Sequence, residues 1–163
     1  MAWAKNGTPD TLSGTSDTIE ITDLTSKLFN QTITHLIASG AISQSLRLGS
    51  TSLDSGTNYA DRLSDNGGSD VTGTTQSSIR AGGNITDIDS FIVYYFINIA
   101  AEEKLVIGHC VDESASGATT APFRREFVGK WTNTSNQTDV LGFVNGQSGD
   151  YAANSNLSAL GTD

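Results

Sequence analysis

An all-β fold is predicted, a two-sheet antiparallel β-sandwich or jelly roll of about eight strands in a chain of 163 residues. Three observations predict it. Runs of β-branched and aromatic residues, the strongest being FIVYYFINI from Phe91 to Ile99, recur between clusters of Gly, Asn, Asp and Ser, which supply tight turns. Ser and Thr make up 40 residues while charged residues are only 17%. The polarity is thus hydroxyl and amide, as in strands with one wet face, rather than the dense charge of disordered chains. The loops are long, which suits connections that cross between two sheets. The length predicts one domain, large enough to bury a core without staples.

Taken in order, residues 1–17 are small and polar, with Pro9 and two glycines in KNGTPDTLSGTSDT. They read as an extended N-terminal arm, too polar to pack alone, loose in an isolated subunit and ordered in an assembly. Met1, Trp3, Pro9 and Leu12 are its candidate interface residues. The sandwich domain is residues 18–163, beginning with a short strand in TIEITD. Residues 24–40, LTSKLFNQTITHLIASG, fit a helical stripe capped by Asp23 and stopped by Gly40. They also alternate, and β-branched Thr32, Ile33 and Thr34 favour a strand, so periodicity leaves both open.

AISQSLRLGS reads as the next strand. In LDSGTNYADRLSDNGGSDVTG, residues 53–73, Asp54-Ser-Gly and Asp65-Asn-Gly-Gly read as turns around a short edge strand whose Tyr59 and Leu63 pack inward. SSIRAGG holds another short edge strand. Phe91–Ile99 is apolar on successive residues, which implies that both its faces are covered. Glu102–Lys104 turn the chain into LVIGHCVD, giving a central hairpin. PFRREFVGKWT then alternates, with Phe123, Arg125, Phe127 and Gly129 on one face and Arg124, Glu126, Val128 and Lys130 on the other. TDVLGFVNG and SGDYAANSNLSALG supply the last strands.

Composition also bounds the chemistry. A net charge of −9 with a single adjacent basic pair, Arg124–Arg125, argues against a nucleic-acid surface, because phosphate binding needs clustered Lys and Arg. The absence of a long apolar run argues against a membrane span. Cys110, the one cysteine, lies in an apolar run and reads as a buried thiol. MAWAKNGTPDTLSG lacks the apolar centre of a secretion signal, so synthesis in a cytoplasm is expected.

His35 and His109 show no paired metal-ligand spacing and read as structural sheet residues. Adjacent Glu102 and Glu103 face opposite ways, and the G-x-S-x-G nucleophile elbow and phosphate loops are missing, so no enzyme, metal or cofactor is expected. Asp65, Asn66, Ser69 and Asp70 form a candidate ion loop, although turn chemistry accounts for them more simply. Exposed aromatics would give a sugar platform, for which Tyr59 and Trp131 are candidates beside Trp3 and Tyr151, although Trp131 closes an alternating strand and reads more simply as core or subunit interface. A carbohydrate-binding module, for instance one for host attachment, is therefore the alternative function.

Three stretches carry a family resemblance. LRLGSTSLDSGTNYADRLSDNGGSD, EEKLVIGHCVDESASGATTAPFRREFVGKWTNTS and SGDYAANSNLSALGTD together resemble small phage virion proteins, covering most of residues 18–163. The likeness implies a jelly-roll sandwich acting as a capsid, decoration or fibre-type subunit, made in the host cytoplasm and finishing in the virion. It also implies a strand at 24–40. The expected partners are copies of itself, as a trimer or ring, and other virion proteins.

Overall fold

The computed structural model describes residues 2–115 and 117–163, and all regular structure within them is β. The strands are β1 (Ala4–Lys5), β2 (Asp10–Thr11), β3 (Thr18–Ile21), β4 (Phe29–Ser39), β5 (Ala41–Gly49), β6 (Tyr59–Asp65) and β7 (Val71–Gln76). They continue with β8 (Ile79–Thr86), β9 (Asp89–Ile97), β10 (Lys104–Asp112), β11 (Phe123–Trp131), β12 (Val140–Val144), β13 (Asp150–Tyr151) and β14 (Asn156–Thr162). That is more than the eight expected. The surplus comes partly from the two-residue strands β1, β2 and β13, which lack the length to show alternation. It also comes from β7, whose VTGTTQ contains one large apolar residue.

The strands form two antiparallel sheets. The large one runs β1-β14-β4-β9-β10-β11-β6-β7, with β2 and β13 attached to β14 and β4; the small one runs β3-β12-β5-β8. From β3 the chain alternates between layers: small at β3, β5, β8 and β12, large at β4, β6–β7, β9–β11 and β13–β14. That winding is the jelly-roll type of sandwich. The β4–β5 passage turns at Gly40, whose φ of 84° a side chain rarely adopts and whose absent Cβ would sit 3.2 Å from the Gly149 backbone. Within the 24–40 segment Phe29–Ser39 is a strand, as the resemblance implied, with Asn30, Thr32, Thr34, Leu36 and Ala38 turned inward, and residues 24–28 lead into it without regular structure.

Between the layers lies one core. Ile92, Tyr94, Phe96, Val106, Cys110 and Phe127 face inward from the large sheet, and Ile19, Ile42, Leu46, Leu48, Ile79 and Phe143 from the small one. Polar cross-links also join the sheets. The Tyr59 hydroxyl donates to the Leu48 carbonyl at 2.7 Å. Asp61, its side chain fully buried, accepts from Arg80 Nη2 at 2.6 Å, from Arg80 Nε at 3.1 Å and from the Arg80 backbone N–H at 2.9 Å. Such a two-pronged, charge-assisted bond fixes register more tightly than apolar packing alone.

Residues 4–17 are extended, but the expectation of a loose arm is corrected. β1 and β2 pair with β14, and Ser16 pairs with Tyr151. Asn6 is buried, donating to Asn30 Oδ1 at 2.7 Å and accepting from the Thr25 backbone N–H at 2.8 Å. An amide side chain satisfied on both ends pins the segment to its own subunit.

Candidate interaction face

The predicted interface residues fall in different places. Trp3 is exposed at the edge of the large sheet, Pro9 is exposed, and Leu12 packs partly against the core; Met1 lies outside the described residues. Trp3 has the most informative neighbours. It borders a hollow of about 300 Å3 lined by Phe29, Tyr95, Ile97, Leu105 and Ile107. These side chains belong to the outer face of the large sheet.

Strand pairing arranges that face in rows, because directly paired residues project to the same side. One row runs Gln31, Tyr95, Ile107, Val128, Arg62 and Thr72 across β4, β9, β10, β11, β6 and β7. The next runs Ile33, Val93, His109, Glu126 and Ser64, and a third His35, Phe91, Val111 and Arg124. Ile107 is 55% exposed, Leu105 54%, Phe91 49%, and Ile33, Tyr95, Val111 and Val128 are exposed beside them. Scattered exposed apolar residues are ordinary, but a contiguous patch over four adjacent strands marks a contact surface.

Charge lies on β11, where Arg124, Glu126 and Lys130 flank Val128, and on the strands at the margins, and its groups are matched within the subunit. Arg62 pairs with Asp70 at 3.1 Å, Lys130 with Glu103 at 2.8 Å and Arg124 with Glu126 at 3.7 Å. His35 Nε2 lies 3.1 Å from Asp89 Oδ2. His109 is exposed in the middle of the face and so is not a buried structural histidine.

The candidate ion loop has a different role. Asn66 and Gly67, at φ 52° and 76°, turn β6 into β7, and Gly68 donates back to the Asp65 carbonyl at 2.8 Å. Two successive left-handed residues match the right-handed twist of a hairpin. Asp65 is held by Arg125 through two bonds of 2.7 and 2.8 Å, and that guanidinium keeps its carboxyl below the usual range. The Asn66 side chain accepts from the Arg124 backbone N–H at 2.9 Å, and Asp70 faces Arg62. The acidic groups are therefore directed to separate arginines rather than to a common centre.

The sugar-platform expectation is also corrected. Tyr59 and Trp131 are each 1% exposed, so neither presents a ring to solvent. Trp131 Nε1 donates to Asp54 at 2.7 Å, and Lys104 lies over its ring. Lys104 is itself fully buried, giving its ammonium protons to the carbonyls of Ala100, Glu102 and Asn133. This arrangement closes the β9–β10 turn. Tyr151 is buried too, and of the four aromatics only Trp3 is exposed. Cys110 is buried as expected, its thiol pushed up by burial and by Asp112, which makes it unreactive.

Sequence reasoning missed the outer-face residues Phe91, Tyr95, Leu105, Ile107 and Val128 as a site. Their signal was present in the unbroken apolar run of β9, which implied cover on both sides, whereas the subunit covers only one. No family model, no curated protein and no solved structure matches the chain.

Proposed function

We propose that this protein is a non-enzymatic structural subunit that works by docking the outer face of its large sheet within a larger assembly. The single observation that carries this reading is the apolar patch of Phe91, Tyr95, Leu105 and Ile107 on that face. Leaving such a surface wet forgoes about 25 cal/mol for each Å2 that a contact would bury, which favours association. The family resemblance points to a virion as the assembly, with capsid, decoration or fibre roles, and to copies of the chain and other virion proteins as partners. The many hydroxyl and amide groups around the patch suit the polar rim that surrounds the apolar centre of a protein contact.

The test is to measure the mass of the chain by light scattering, alone and in an extract containing the proteins made beside it. The expected result is a multi-subunit particle in at least one of these samples. A monodisperse monomer in both would overturn the proposal.

A further inference from the structure

Resting on that reading, we infer that the large sheet's outer face is covered by the same face of a second copy, in a two-fold sheet-on-sheet pair. Size, charge and symmetry lead to this occupant. Six strands, β14, β4, β9, β10, β11 and β6, lie side by side. At about 4.8 Å between strands and about 3.4 Å per residue, they span on the order of 800 Å2. A stable contact of standard size takes about 800 Å2 from each partner. A sheet face of this area, apolar on β4, β9 and β10 and more polar on β14, β11 and β6, is of the size such a contact takes.

Charge selects the partner. The chain carries a net −9, so copies approaching through most of the surface repel one another. On this face the cations of Arg62, Arg124 and Lys130 are each beside a carboxylate of the same subunit. The face consequently asks for neither a basic nor an acidic partner, and it is where like-charged copies meet with least repulsion. An apolar, locally neutral sheet is best matched by another apolar, neutral sheet, and this chain carries one. The small sheet's outer face is mostly polar among the described residues, since Thr18, Glu20, Ser43, Ser45, Arg47 and Asn84 project from it and only Ala41 and Val144 are apolar there.

A face that meets itself is isologous and closes at two. Rings with threefold symmetry remain compatible if they are built from such pairs, so the expected number of chains is even. Ile107, 55% exposed near the middle of the patch, is the position whose change separates pairing from folding.

The test is to measure the mass of the full chain, alone, by light scattering and native mass spectrometry over a concentration series. Wild type is expected as two chains of 17.1 kDa or an even multiple. Ile107→Glu should weaken pairing by roughly a hundredfold or more, because it buries an unpaired charge at the centre of the contact. Ile107→Thr, which keeps a β-branched side chain, should weaken it less and guards against a folding defect in the first variant. Asn84→Glu on the small sheet should leave the mass unchanged. A trimer, or pairing that survives Ile107→Glu in a folded protein, would overturn the inference while leaving the structural role standing. So would a chain that is monomeric alone but assembles with other proteins or floats with neutral lipid vesicles.

Discussion

The two outer faces of this sandwich are built from the same kind of strand and answer to different surroundings. On the small sheet Thr18, Glu20, Ser43, Ser45, Arg47 and Asn84 project outward with only Ala41 and Val144 as apolar neighbours, a mostly polar surface. On the large sheet Ile33, Phe91, Val93, Tyr95, Ile107, Val111 and Val128 share the outer face with Gln31, His35, His109, Arg124 and Glu126, so its centre on β9 and β10 is largely apolar. Both sheets bury their inner faces against the one core. The difference teaches that the apolar excess of β9 and β10 is not needed to hold the sandwich together, since the inner residues of those strands already do so.

The sharpest way to break the comparison is to truncate one ring on each side of the large sheet. Phe127 is 2% exposed and packs in the core, whereas Phe91 is 49% exposed on the outer face. Phe127→Ala should cost about 3–5 kcal/mol in denaturant unfolding, from lost transfer energy and the cavity left behind. Phe91→Ala should cost at most about 1 kcal/mol at concentrations where the chain is monomeric, while its loss of association should be far larger. Equal costs in the monomer would mean that the outer face supports the fold rather than a contact.

A smaller effect is expected at the polar links between the layers. Asp61→Ala removes the carboxylate that receives both the side chain and the backbone N–H of Arg80. Arg80 is 36% exposed, so water screens part of the loss, and about 1–3 kcal/mol is expected from thermal or urea unfolding. The unfolding cooperativity should stay intact, because the apolar core still joins the sheets. A change below about 0.5 kcal/mol would show that this pair sets register without adding stability.

Much of the fold was legible because it is written in local alternation. Tyr59 and Leu63 were expected inward and are buried, and the Phe123–Lys130 alternation is seen in the structure. The hairpin of β9 and β10 pairs as its turn residues implied. What escaped detection depends on distant partners. The turn at Asp65–Gly68 was legible, but the partner that holds the Asp65 carboxylate, Arg125 sixty residues later in sequence, was not. Trp131 is in the core, the simpler of its two readings, but its place under Lys104 depends on a turn that nothing local announces. The arm looked free because a single Asn6 carries no periodic signal, yet its buried amide holds it down. The interaction face was half legible: the run from Phe91 announced two covered sides, but nothing local said that one cover lay outside the subunit.

The smallest expected effect concerns acid, and it separates the two carboxylates at one end of the sandwich. Asp65, held low by Arg125, contributes stability above the ordinary carboxylate range that is lost as pH falls through its depressed value. Asp112 has the opposite sign. It is 1% exposed, and burial raises its pKa despite hydrogen bonds from Gln44 at 3.2 Å and the Cys110 thiol at 3.1 Å. A raised carboxyl favours the fold below its unfolded value of about 3.9, and that contribution is lost as pH rises through the folded value. Asp112→Asn retains an acceptor for Gln44 without the charge, so it should stabilise the protein at neutral pH by about 1 kcal/mol and change little near pH 3.5. Urea unfolding of both proteins across that range checks it. A destabilisation at neutral pH that fades toward acid would reverse the assignment, placing the favourable charge on Asp112 and making Arg125 its partner as well as Asp65's.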